Sequence, residues 1–168
     1  GASLANVLNL DAGEIVTTML PAPDAVNGDI EKLKGRYLVM VTAQAKIKRM
    51  ELAELASIRP SGIVALSLDA GDELGWARLT NGEDDIIIVS QAGRALRFKE
   101  DEVRCMGRAA RGVGAMRLEA GDRLASVEVV EPGAALLIVT ASGHGKRTSL
   151  DEYPRHGRAG GGVIALSH

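Results

Sequence analysis

Three short stretches decide how this chain is built: Leu38–Thr42 (LVMVT), Ile86–Ser90 (IIIVS) and Leu136–Thr140 (LLIVT). Each is four apolar residues closed by a hydroxyl, and the hydroxyls stand 48 and then 50 residues apart. Seven residues after each hydroxyl comes an arginine: Arg49, Arg97 and Arg147. Four residues after it comes Lys46, Arg94 or His144. A glycine and an apolar segment follow at Gly62–Leu66 (GIVAL), Gly112–Met116 (GVGAM) and Gly162–Leu166 (GVIAL). A further signature closes the unit at Leu68–Asp72 (LDAGD) and Leu118–Asp122 (LEAGD), and it also stands near the start at Leu10–Glu14 (LDAGE). Self-similarity at a fixed period near 50 residues marks a repeat array. The chain opens in the last part of one repeat, carries two full ones and ends inside a fourth. The boundaries read as 1–30, 31–80, 81–130 and 131–168.

Each repeat has the local chemistry of strands. Runs of Val, Ile and Leu suit a buried strand. The turns Ala92-Gly93 and Ser142-Gly143 lead at once into a second strand, and the Leu-x-Ala-Gly element is another tight turn. Helix signals are weak: Glu51–Ile58 predicts a short helical turn and Asp151–Tyr153 a single one. About four short strands per repeat of this length make an all-β, propeller-like array.

Composition narrows the functions such an array performs. The chain has 168 residues, 46% hydrophobic, so it builds a real core. Trp76, Tyr37, Tyr153 and Phe98 are its only aromatics, which disfavours stacking platforms for single-stranded nucleic acid. Cys105 stands alone, so no internal disulfide or cysteine metal site forms, as befits a reducing cytoplasm. No apolar run reaches membrane-spanning length. The net charge of −2 is unevenly placed. Gln91–Arg117 holds seven basic residues against three acids, whereas Asp69–Asp85 holds six acids and one arginine. Segregation of this kind presents a basic stripe despite a near-neutral total.

Catalytic readings find little support. Gly112–Gly114 and Gly160–Gly162 lack the strand-loop-helix setting of a phosphate loop. Thr148 and Ser149 have no evident base, and His144, His156 and His168 have no metal-ligand spacing. Cys105 reads as a half-buried thiol. Asp11, Asp69, Asp72 and Asp122 recur in turns, where capping explains them better than calcium. No cofactor and no metal are expected.

From Arg97-Phe98-Lys99 onward the sequence resembles one family. Val103–Val113 (VRCMGRAARGV), Gly143–Thr148 (GHGKRT), Glu152–Pro154 (EYP) and Arg158–Val163 (RAGGGV) look like the C-terminal domain of the bacterial DNA gyrase A protein, and Asn6–Leu10 (NVLNL) resembles the end of that family's first blade. The resemblance implies a β-pinwheel, a six-bladed propeller relative in which neighbouring blades exchange a strand, of which this chain covers about three to four blades. It implies a basic rim that wraps double-stranded DNA, with cleavage and ATP hydrolysis lying elsewhere in the bacterial cytoplasmic enzyme, in the remainder of gyrase A and in gyrase B. The family's Gln- and Gly-rich box, which belongs to its first blade, has no counterpart here, so this chain is expected to be part of a wrapping surface. The C-terminal domain of topoisomerase IV and a propeller-like protein-interaction scaffold are the alternatives. Unpaired blade edges also invite self-association.

DNA affinity of this kind comes from neutralising phosphates, which needs repeated cations on one surface. Arg49, Arg97 and Arg147 are expected at equivalent rim positions, with Lys46, Lys48, Arg94, Lys99 and Lys146 nearby. Glycine- and arginine-rich loops supply a second cluster: Arg59, Arg104, Arg108, Arg111, Arg155 and Arg158. The competing reading of each is a solvated face or a salt bridge to Glu51, Glu100 or Asp101.

Overall fold

A computed structural model describes residues 1–3, 8–22, 30–57 and 61–165. Arg59, His168 and parts of the Asn6–Leu10 and Gly162–Leu166 elements lie outside the described residues. Among the described residues ten strands form: β1 (Tyr37–Thr42), β2 (Lys46–Glu51), β3 (Leu74–Thr80), β4 (Asp85–Ser90), β5 (Arg94–Lys99), β6 (Val113–Gly114), β7 (Leu124–Val129), β8 (Ala135–Val139), β9 (Gly145–Ser149) and β10 (Val163–Ile164). Two four-stranded sheets run β3-β1-β2-β6 and β10-β5-β4-β7, and β8-β9 forms a hairpin. All the pairings between strands are antiparallel.

The three hydroxyl-ended runs form β1, β4 and β8. In β1 and β4 the unbroken hydrophobicity follows from burial on both faces, because successive side chains of a strand point to opposite sides. Val39 and Val41 meet Ile86 and Ile88 in a core shared by the two sheets, together with Ile47, Leu96, Phe98, Leu124 and Val127. The alternate residues face the other way. Leu38 and Met40 pack with Leu33, Met50 and Leu52. Ile87 and Val89 pack with Leu150 and Tyr153, against Leu136 and Ile138 of β8. Each fully buried Ile contributes about 1.5–3 kcal/mol. On β8 the outward residues Leu137 and Val139 remain 64% and 62% exposed.

Strand exchange between blades is present, as the pinwheel expectation requires. The fourth strand of the first sheet is β6, from the next repeat: Ile47 pairs with Val113 and Lys46 with Gly114. The fourth strand of the second sheet is β10, from the repeat after: Ala95 pairs with Val163 and Arg94 with Ile164. Both crossings pass over backbone that only glycine clears. A Cβ on Gly112 would stand 2.8 Å from the Ile47 carbonyl oxygen, and one on Gly162 2.7 Å from that of Ala95.

At the opposite edges the sheets meet along β3 and β7. Arg78 pairs with Glu128 at 3.0 Å and Arg123 with Glu73 at 2.8 Å. Each pair joins equivalent positions of successive repeats with the charge inverted. Two of the four turn acids cap hairpins. Asp72 accepts from the Gln44 and Glu73 amides, and Asp122 from those of Ala92 and Arg123.

Among the described residues, helical structure is confined to 3-10 turns at Ile30–Leu33, Leu52–Leu55, Glu100–Glu102 and Leu150–Glu152. The expected turns near Glu51 and Asp151 are there. The Ile30 and Glu100 turns were not anticipated.

Candidate nucleic-acid interface

The recurrent arginines do occupy one position of the fold. Arg49 lies opposite Val39, Arg97 opposite Ile87 and Arg147 opposite Leu137. Their surroundings differ, because the residue before each apolar run differs: Tyr37, Asp85 or Ala135.

In the second sheet, Arg97 donates from Nε to Asp85 Oδ2 at 2.7 Å and from Nη1 to the Leu150 carbonyl at 2.8 Å and that of Tyr153 at 3.4 Å. It thereby fastens the Leu150–Glu152 3-10 turn to β5. In the first sheet, the Arg49 guanidinium lies over the Tyr37 ring, 4.7 Å from its centroid, and 3.5 Å from the carboxylate of Glu100. Glu100 is buried and accepts from Thr80 Oγ1 at 2.6 Å and from the amides of Gly82 and Asp84. In the fourth repeat Ala135 offers no acceptor, and Arg147 is exposed. The expected rim triplet therefore divides: two arginines are internal ties and one faces solvent.

Lys48 also departs from the expected set. It is 0% exposed, and its ammonium donates to the Ala65 carbonyl at 2.7 Å and to that of Arg108. Burial lowers its pKa below 10.5, against opposing electrostatic effects of Glu54 and Cys105. A lysine so enclosed offers no charge to an outside ligand. It holds the loop carrying Arg108 against β2.

The glycine- and arginine-rich loops run along the free side of β2 and β5. Cys105 bridges to Arg49, and the Met106 amide donates to the Arg49 carbonyl at 2.9 Å. Arg155 bridges to Arg97 in the same way, and the His156 amide donates to the Arg97 carbonyl at 2.8 Å. With β6 and β10 these loops form the outer edge of each sheet. Arg104 and Arg108 are exposed there, with no ion-pair partner among the described residues. Arg111 is exposed and pairs with Asp69 at 3.1 Å. Arg158 is half-buried, its amide donating to Glu102 and its side chain to the carbonyls of Glu102 and Gly114. Lys46, Arg94 and Lys99 are half-buried, and Lys146 is exposed.

Arg155 donates from Nε to Asp85 Oδ2 at 2.8 Å, so two arginines converge on one buried carboxylate oxygen. Burial alone would raise the Asp85 pKa. The hydrogen bonds from Arg155 and Arg97 outweigh it and hold the carboxyl below its ordinary value. Asp85 was not singled out from the sequence. Its position in place of Tyr37 and Ala135, ahead of an apolar run, was the available signal.

The DNA gyrase C-terminal domain, beta-propeller family matches residues 36–81, 84–131 and 134–167. The chain belongs to that family.

Within the gyrase C-terminal domain family, the DNA gyrase A protein of Salmonella typhimurium is 41% identical over 113 residues, which is 67% of this chain and 12% of that protein. Among solved structures, the C-terminal domain of DNA topoisomerase IV superposes with a TM-score of 0.85 at 28% identity, covering 98% of this chain and 49% of that one. A DNA gyrase A C-terminal domain gives 0.81 at 27% identity, covering 96% and 52%. The chain thus spans about half of each solved domain and a small part of the full-length relative. Among the described residues no group of three or more His, Cys, Asp or Glu is placed to hold a metal, and no helix is long and apolar enough to cross a membrane.

Proposed function

We propose that this chain is part of the DNA-wrapping surface of a gyrase A protein, divided into blades at 1–30, 31–80, 81–130 and 131–168. It binds the phosphate backbone of double-stranded DNA without reading sequence and bends it. It performs no bond chemistry of its own. In the intact ATP-dependent enzyme of the bacterial cytoplasm, working with the remainder of gyrase A and with gyrase B, this bending directs negative supercoiling.

The observation that carries the reading is the exposed arginine content of the outer edges. Arg104, Arg108 and Arg155 stand on the loops flanking the exchanged strands, and Lys146 and Arg147 on β9. Lys46, Arg94 and Lys99 are half-buried additions, and Arg111 and Arg158 join once released from Asp69 and Glu102. Arg49, Arg97 and Lys48 act indirectly, by holding the blades and loops that carry the others. Bending a short duplex by 40–90° costs on the order of 1–6 kcal/mol, which added phosphate contacts offset. Closure of a short duplex carrying dyes at both ends tests the bending, read as energy transfer at low salt. Unchanged transfer on binding would remove bending from the proposal.

Topoisomerase IV is the second reading, favoured by the 0.85 superposition. The 41% identity to the Salmonella gyrase A protein over 113 residues supports gyrase.

A further inference from the structure

The pairing of Asp85 with two arginines has an asymmetry that a simple structural tie does not need. Arg97 spends its donors inside the protein, and its side chain is 17% exposed. Arg155 shares the same carboxylate oxygen, yet its side chain is 59% exposed while Asp85 is at 4%. Only its Nε is engaged by protein. Its two terminal nitrogens have no acceptor among the described residues.

We propose that Asp85 is a positioning residue that presets Arg155 as a fork for one phosphodiester of duplex DNA, at the boundary of the third and fourth blades. The inference rests on the DNA-binding reading above and names a subsite within it. A guanidinium held at Nε still offers a planar pair of N–H donors at its far end, which suits a phosphate's two free oxygens. Its base is fixed as well, by the bridge to Arg97 and the His156 amide donating to the Arg97 carbonyl. Both ends of the side chain are thus restrained before a ligand arrives. The remaining oxygen of Asp85, Oδ1, is buried with no hydrogen-bond partner, so the carboxylate depends on its two arginines for compensation. The nearby Asp101 carboxylate also acts electrostatically on Arg155 and competes with a phosphate for it.

Among the described residues the arrangement stands at one boundary. In the second blade the equivalents of Asp85 and Arg155 are Tyr37 and Cys105, as the parallel bridges Arg49–Cys105 and Arg97–Arg155 show. Arg104, Arg108, Lys146 and Arg147 have no such carboxylate. Each loses rotamer freedom on meeting a phosphate, a penalty of roughly two- to tenfold in affinity that a preset arginine avoids.

The test compares duplex binding at low salt by the parent chain, Arg155→Ala, Arg155→Lys, Asp85→Asn and Arg104→Ala, with the melting temperature of each recorded. Lysine keeps the charge but lacks the planar pair of terminal donors that the fork requires. The expected result is that Arg155→Lys loses about as much affinity as Arg155→Ala, roughly five- to tenfold, against about two- to threefold for Arg104→Ala. Asp85→Asn removes a negative charge, which on electrostatic grounds alone strengthens DNA binding. Positioning demands the opposite sign. Parent-like affinity in Arg155→Lys, or tighter binding by folded Asp85→Asn, would overturn the proposal and leave the DNA reading standing. Should Asp85→Asn fail to fold, the Arg155→Lys comparison decides alone. No duplex binding by the folded parent chain would overturn the DNA reading and this subsite with it.

Discussion

Gly112→Ala probes the strand exchange on which the whole array depends. The added Cβ would sit 2.8 Å from the Ile47 carbonyl oxygen and 3.1 Å from the Ile47 nitrogen and carbonyl carbon. Ordinary contacts of this kind lie at 3.4–4 Å, and all three atoms are backbone, so no side chain can swing away. Relief requires moving β6 away from β2, at the point where Ile47 pairs with Val113 and the Ala115 amide donates to the Ala45 carbonyl. Overpacking of this order costs about 1–3 kcal/mol. For a domain of this size that is a fall in melting temperature of roughly 2–12 °C. Gly75→Ala serves as the reference, since its Cβ would meet Val41 and Ala43 at 3.7 and 3.9 Å. Thermal unfolding followed by circular dichroism gives the shift, and amide exchange at Val113 and Ala115 locates it. If Gly112→Ala melts within about 1 °C of the parent and keeps its amide protection, the exchanged strand does not press on β2 as described.

Three further outcomes follow from the interior ties. Asp85 is depressed in the folded protein, so its contribution to stability is fully present above the ordinary carboxyl value of 3.8 and is lost as pH falls through its lower folded value. Acid titration of unfolding should show that limb in the parent and lack it in Asp85→Asn, and identical limbs would count against the two-arginine clamp. Lys48→Leu should destabilise by about 2 kcal/mol, because the Ala65 and Arg108 carbonyls lose their donor, and equal denaturant midpoints would mean water replaces it. Arg147→Glu should leave the melt unchanged and flatten the salt dependence of DNA binding by about one unit, whereas Arg97→Glu should destabilise by about 3–5 kcal/mol by facing Asp85 with a like charge. Equal stabilities for that pair would refute the division of the triplet.

The repeat made most of the fold legible. The hydroxyl-ended runs are β1, β4 and β8, the turns after them fall where Gly93 and Gly143 take positive φ, and Ala45 accepts φ 61 at the same place in the second blade. Strand exchange was implied by the family resemblance and not by spacing, because β6 and β10 are two residues long and carry no strand pattern of their own. The charged residues were least legible. Lys48, Leu96 and Lys146 share one position, yet the first is enclosed and the last exposed. What holds an arginine at the repeated position inward includes the residue ten or more positions earlier, Tyr37 or Asp85, with Ala135 in that place beside the exposed Arg147. A repeat reading averages over that difference. The outer-edge arginines of the glycine-rich loops were named from the sequence, but their place along β2 and β5 came from long-range pairing.

The salt dependence of duplex binding tests the account most directly. If Arg104, Arg108, Lys146, Arg147 and Arg155 each neutralise one phosphate, the logarithm of the binding constant falls against the logarithm of salt with a slope of about −4.5, a loss of roughly 10²–10³ between 50 and 200 mM. Duplexes of unrelated sequence should give the same line. A slope near zero, or no binding by the folded chain at low salt, would contradict the account.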